Sequence, residues 1–188
     1  MGVIYAGLVG DVGGTNARFS LVDGEGHLRN TKVYLCADYG ALDEIIAEYL
    51  EETAGKKRPA KAVIAVAGPV VDGEIEFTNL DWRVSEIDLI ASFGFDAIKL
   101  INDFAAQAMA TPVLDPTDLR RIGPEVRGAA TCPIVVLGAG TGFGVGAVAR
   151  SQHVDIAVAT EGGHAGFTPH DEVEVELWRR LMGLYGRV

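Results

Sequence analysis

The sequence predicts an α/β fold in two lobes, and three observations predict it. Apolar runs that read as strands alternate with stretches of helical periodicity. Two glycine-rich turns, Gly10-Asp11-Val12-Gly13-Gly14-Thr15-Asn16 and Gly138-Ala139-Gly140-Thr141-Gly142-Phe143-Gly144, each lie between two such runs and read as hairpins. The order of elements around the first turn (strand, strand, strand, helix) begins again at the second, which is an architectural duplication.

Residues 3–9 and 17–22 flank the first turn as strands. The glycines between them supply φ > 0 and let a ligand approach the backbone closely. Residues 32–36 make a third strand. Leu42, Ile45, Ile46, Tyr49 and Leu50 then recur at helical spacing; acidic residues crowd the start of this helix and Lys56, Lys57 and Arg58 follow its end, as the macrodipole favours. Residues 62–67 are a continuous apolar run, expected of a strand buried on both faces, and Gly68-Pro69 ends it. Residues 74–78 predict a short strand entering the loop Asn79-Leu80-Asp81-Trp82. Ser85-Glu86-Ile87-Asp88 has the form of a capping box, so a helix starts there and stops at Gly94. Residues 97–101 are the next strand, and a short helix from Phe104 ends before Pro112.

Residues 111–131 are a polar connection holding Pro112, Pro116 and Pro124. Beyond it, 134–137, 145–149 and 154–159 are three strands again. Thr168-Pro169-His170-Asp171 reads as a helix start with a cap and an N1 proline, after which Val173, Leu177, Leu181 and Leu184 mark one helical face. The expected units are a first α/β lobe over 1–111, a connection over 112–133 and the start of a second lobe over 134–188.

An apolar fraction of 48% in 188 residues is enough for a buried core. The formal net charge of -10 argues against non-specific nucleic-acid binding, which needs a basic face. It leaves nucleotide binding open, because backbone N–H groups and magnesium can meet phosphates. Cys36 and Cys132 are isolated and without metal-ligand spacing, which fits a reducing cytoplasm. The N-terminal apolar run is too short to span a membrane and lacks the basic region and cleavage site of a signal peptide. Ala6 stands where a myristoylation motif wants Ser or Thr. Gly55-Lys56 is followed by Lys57 rather than Ser or Thr, so no Walker A loop is present. Phe143 stands where a dinucleotide fingerprint needs its third glycine.

The polar residues at and between the turns carry the candidate chemistry. Asp11 can hold a cation through water, and Thr15 and Asn16 can donate to phosphate oxygens. Two such hairpins facing each other would clamp a polyphosphate. Asn102-Asp103 joins a strand to a helix. One reading is an N-cap. The other is a general base at the carboxyl end of a strand, where open α/β sheets place their chemistry. Glu161-Gly162-Gly163-His164 is either a glycine turn with a surface carboxylate and a partly buried histidine, or a recognition loop for sugar hydroxyls. Zinc is disfavoured there, since no cysteine cluster accompanies His164. Asn79 and Trp82 can close the pocket, although Trp82 reads first as core packing.

Taken in order, Gly10 to Arg18, Ala65-Val66-Ala67-Gly68-Pro69, Thr78-Asn79 with Trp82, Leu100-Ile101-Asn102-Asp103-Phe104, Gly138 to Gly142 and Glu161 to His164 resemble the bacterial glucokinases. These belong to the superfamily of hexokinases, heat-shock chaperones and actin. The cysteine-rich zinc motif of the ROK sugar kinases is missing, so the resemblance is to the non-ROK branch. It implies ribonuclease H-like (actin-like ATPase) lobes, the first nearly complete and the second truncated. It implies transfer of the γ-phosphoryl group of ATP to the 6-hydroxyl of glucose, with Mg2+, in the cytoplasm, by a protein that in this family often forms homodimers. Asp103 is then the base, and Asn79, Asn102, Asp103, Glu161 and His164 meet glucose. Gly10, Asp11, Val12, Gly13, Gly14, Thr15 and Asn16, with Gly140, Thr141 and Gly142, meet the phosphates, and Asp11 stands near magnesium. The family continues past this point with an adenosine-binding segment, so the chain reads as an N-terminal fragment. Two other classes compete. A sugar-sensing regulator on the same scaffold would carry a DNA-binding module, for which a first strand starting at residue 3 leaves no room ahead of it. Another actin-like ATPase would leave Asn102-Asp103 and Glu161 to His164 without a purpose.

Overall fold

The computed structural model describes residues 5–55, 58–77, 80–124, 128–139 and 142–186. The strands β1 (Tyr5–Val12), β2 (Asn16–Asp23) and β3 (Leu28–Leu35) form an antiparallel meander. The helix α1 (Leu42–Thr53) leads to β4 (Lys61–Val66), a small hairpin of β5 (Glu74–Glu76) and β6 (Arg83–Ser85), and α2 (Glu86–Phe93). Then come β7 (Ala97–Asn102) and α3 (Asp103–Ala110). A second antiparallel meander follows, β8 (Ile134–Ala139), β9 (Phe143–Arg150) and β10 (Asp155–Ala159), and α4 (Glu172–Tyr185) comes after it. The first sheet has the order β3-β2-β1-β4-β7, with β4 parallel to both β1 and β7; the second has the order β10-β9-β8.

The core lies where α1 covers the first sheet. Ile45, Ile46, Tyr49 and Leu50 recur every three or four residues, so they share one face of α1, and all four are fully buried. They meet Leu8 and Val12 of β1, Phe19 and Leu21 of β2 and Ile64 of β4, each also at 0% exposure. Burying a side chain of this size is worth about 1.5–3 kcal/mol. Tyr49 packs its ring 5.7 Å from that of Phe19 and donates its hydroxyl to the Asn30 carbonyl at 3.1 Å, so its polar end is satisfied. Trp82 belongs to the same core, edge-on to Phe77 at 6.0 Å, as its packing reading expected.

Several local expectations are corrected. Gly10, Asp11 and Val12 are not part of a turn: they are the last residues of β1, paired with β2 on one side and β4 on the other. A strand with neighbours on both sides keeps its ladder bonds until the ladder ends, whatever the local turn propensity. The run 62–67 is not buried on both faces, because β4 alternates and Val63 is 43% exposed. Ser85 precedes α2 but makes no side-chain cap; instead the Glu86 N–H donates to the Gly73 carbonyl at 2.9 Å. The stop at Gly94 holds, with that glycine in the left-handed region at φ 70°. The last helix starts later than Thr168-Pro169 predicts. Asp171 is its N-cap, accepting the Glu174 N–H at 2.8 Å, since a carboxylate placed there satisfies a free donor. Strand β6 has no counterpart in the sequence reading. Lys56, Lys57 and Thr78 lie outside the described residues.

Candidate active site

The carboxyl ends of the parallel strands β1, β4 and β7 finish level, with Val12 beside Val66 and Val66 beside Asn102. Asn102 is the last residue of β7 and the N-cap of α3, its Oδ1 accepting the Ala105 N–H at 3.0 Å. The cap reading of Asn102 is therefore correct. The same side chain does more: its Nδ2 donates to the Gly68 carbonyl at 3.2 Å and to Asp103 Oδ1 at 3.0 Å. Both amide hydrogens are thus engaged, one anchoring the residue to the end of β4 and one holding the carboxylate.

Asp103 opens α3. Its Oδ1 accepts from Asn102 and from the Phe104 N–H at 2.8 Å, and Oδ2 takes no hydrogen bond from another described residue. Burial pushes its carboxyl above the usual carboxylate range, and the Asp11 carboxylate adds to the rise; the Phe104 N–H and the Asn102 amide pull the other way. The outcome is an oriented carboxylate with one open oxygen and a raised proton affinity, which suits a group that must take a proton.

The first turn is short. The Gly13 N–H donates to the Asn16 carbonyl at 2.9 Å, and Thr15 and Asn16 are exposed. Cys36, buried at the end of β3, braces it from behind: its N–H donates to the Thr15 carbonyl at 2.9 Å and its thiol to the Gly13 carbonyl at 3.5 Å. Gly13 is not left-handed, contrary to the expectation from its turn. A Cβ built on it would find only the Asn16 carbonyl, at 3.7 Å, so its outer side is open to a ligand. Gly10 differs, because a Cβ there would lie 2.5 Å from the Phe19 ring; it is a packing glycine, placed by the core. The Asp11 side chain is 64% exposed, and Arg18 stands 4.0 Å away across the hairpin.

Glu161 precedes a single 3-10 turn and His164 is its last residue, with His164 Nε2 3.4 Å from Glu161 Oε2. The histidine side chain is 78% exposed, so the partly buried histidine of the turn reading is not found. No hydrogen bond joins these two residues to Asp103 among the described residues. The second meander brings the pieces together instead. A Cβ on Gly163 would overlap the Phe143 carbonyl at the start of β9, so the loop rests on the second hairpin only because the residue is glycine. The Phe104 ring rests on the same hairpin. Asn79, Gly140 and Thr141 lie outside the described residues, and Gly142 stands directly before β9. Asp23, Glu25 and His27 also cluster at metal-ligand spacing, but Arg29 already pairs with Asp23 Oδ2 at 2.8 Å.

The family model for glucokinase matches residues 8–188. The chain belongs to the glucokinase family. A glucokinase of Caulobacter vibrioides is 49% identical over 178 residues, which are 93% of this chain and 53% of that protein. The chain spans about half the length of the curated relatives it matches. The crystal structure of a glucokinase from an Antarctic psychrotroph superposes with a TM-score of 0.80 at 33% identity, covering 97% of this chain and 58% of the other. A ROK family glucokinase from Streptomyces griseus, solved with glucose and AMPPNP, shares the fold at a TM-score of 0.59 and 21% identity, over 86% of this chain and 51% of its own. The mixed α/β architecture is thus that of glucokinases and ROK sugar kinases. Among the described residues no helix is long and apolar enough to cross a membrane.

The contact of Phe104 with Gly144 and Gly146 is not announced by the motif around Asn102-Asp103. Two glycines spaced by two inside an apolar strand run were the available signal, since such spacing marks a close approach from one side.

Proposed function

We propose that the full-length protein carrying this chain is an ATP-dependent glucokinase of the cytoplasm, with Asp103 as its general base. The observation that carries the reading is the Asp103 carboxylate itself. It is held through Oδ1, open at Oδ2, raised in proton affinity, and set where three parallel strands end. In this reading Oδ2 takes the proton of the glucose 6-hydroxyl. The freed oxygen forms its bond to the γ-phosphorus, the bond from that phosphorus to the bridging oxygen breaks, and ADP leaves. Asn102 and Glu161, with His164 and Asn79, hold the sugar hydroxyls. The first turn meets phosphate through its exposed Thr15 and Asn16 and the open side of Gly13, and Gly140, Thr141 and Gly142 supply the second phosphate loop. Asp11 fits a magnesium ion held through water, because its carboxylate is exposed and only loosely paired. Magnesium would supply neutralisation of phosphate charge. The lobes proposed are 1–111 and 134–188 with 112–133 between them, the second lobe being completed by residues this chain does not contain.

Asp103→Asn in the full-length protein tests the reading. It should lower kcat by roughly 10²–10⁴-fold, the usual cost of losing a general base, with glucose affinity changed only a few-fold. A kcat within a few-fold of the parent would leave Asp103 as a helix-terminal residue only.

A further inference from the structure

We infer that Phe104 is a positioning residue, which holds Asp103 in register with the second glycine hairpin by seating its ring in a slot that Gly138, Gly144 and Gly146 leave open. The inference rests on the reading of Asp103 as the base. Phe104 works in two directions. Backwards, its N–H donates to Asp103 Oδ1 at 2.8 Å. Sideways, it fills the hairpin. A Cβ on Gly138 would lie 2.7 Å from Phe104 Cζ, one on Gly144 would overlap the ring, and one on Gly146 would overlap the Phe104 carbonyl.

The three glycines form one surface. Gly138 and Gly144 are directly opposite across β8 and β9, and Gly146 is two residues further along β9, so all three present the same face. Glycine weakens a strand interior, so three on one face need a reason, and close approach of another element is the usual one. Here that element is the first turn of α3, the turn that carries Asp103. The slot lies next to Ala139 and Phe143, the last paired residues of the hairpin to which the second phosphate loop is assigned. The chain between α3 and β8 is long and holds no α-helix or strand among its described residues, so it is a poor spacer. A rigid ring seated on a glycine face is a better one, since it has only two side-chain torsions. The contact sets how far the base stands from the second glycine hairpin, and a displacement near 1 Å is enough to slow a positioned reaction on the order of 10²-fold.

The test uses Phe104→Leu, Gly144→Ala and the double variant in the full-length protein, with Asp103→Asn alongside. Each single change should lower kcat by roughly 10–100-fold while the KM for glucose stays within about threefold, because no side chain assigned to the sugar is removed. The acid limb of kcat should move to lower pH as water reaches the carboxylate. A mere loss of folded protein would lower the plateau and leave the limb in place. The double variant should lose less than the product of the two single losses, since leucine lacks the outer ring atoms that the new Cβ meets. If Phe104→Leu does not fold, Gly144→Ala carries the same kcat and pH readouts from the other side of the contact. An unmoved limb in the single variants, or an unchanged kcat, with Asp103→Asn crippled would make Phe104 packing only. Full activity in Asp103→Asn would remove the base reading, and this inference with it.

Discussion

At the scale of single residues, two carboxylates have opposite environments and predict opposite stability profiles. Burial raises the Asp103 carboxyl above its ordinary 3.8, so the folded state disfavours its charged form. That penalty is complete above the folded value and vanishes below the unfolded one. Asp103→Asn, whose amide oxygen can still accept from Phe104, should therefore raise the Tm at pH 7 and give no gain below about pH 3. A lower Tm at pH 7 would show that its hydrogen bonds outweigh burial. Asp23 is the reverse. The His27 N–H first, then Arg29 and the Glu25 N–H, hold its carboxyl down at about 2 from 3.8. Its contribution is complete above the unfolded value and is lost as the pH falls through about 2. Asp23→Asn should lower the Tm at pH 7, and the difference from the parent should shrink in acid; a constant difference would assign the effect to packing.

At the scale of elements, glycines of one motif divide by what stands beside them. Gly10 faces the Phe19 ring inside a three-strand ladder, so Gly10→Ala overpacks the core and should cost about 1–3 kcal/mol. Gly13 has open space and an ordinary backbone, so Gly13→Ala should stay within about 0.5 kcal/mol of the parent in denaturant unfolding. A loss of nucleotide affinity in that stable variant would then report ligand approach to the turn, and unchanged affinity would exclude Gly13 from the phosphate site.

At the scale of the whole molecule, the described chain leaves apolar surface uncovered. The face of α4 that the sequence marks is open, with Val173 78% and Leu184 73% exposed. The side of the second sheet away from α3 shows Val135, Leu137, Ile156 and Val158 to solvent. Surfaces and sheet edges of this kind pair with other chains. The isolated 188-residue chain should therefore self-associate in light scattering and should not consume ATP in a glucose-dependent way, whereas the full-length protein should do so if the proposed function holds. Comparable kcat/KM in the two would show that the described half is self-sufficient.

The sequence by itself determined most of the elements and the junction pair around which the candidate site is read. The β-β-β-α order appears twice as read, because apolar runs and 3.6-residue spacing are properties of adjacent residues. Asn102-Asp103 was legible for the same reason: a cap and a carboxylate at a strand-to-helix junction need only their neighbours. Tertiary structure decided the rest. It put Gly10 into a strand, opened one face of β4, left Ser85 uncapped, and set the Phe104 ring on glycines more than thirty residues away. What stands next to a missing Cβ is fixed by the packing of distant segments, and no local pattern carries that information.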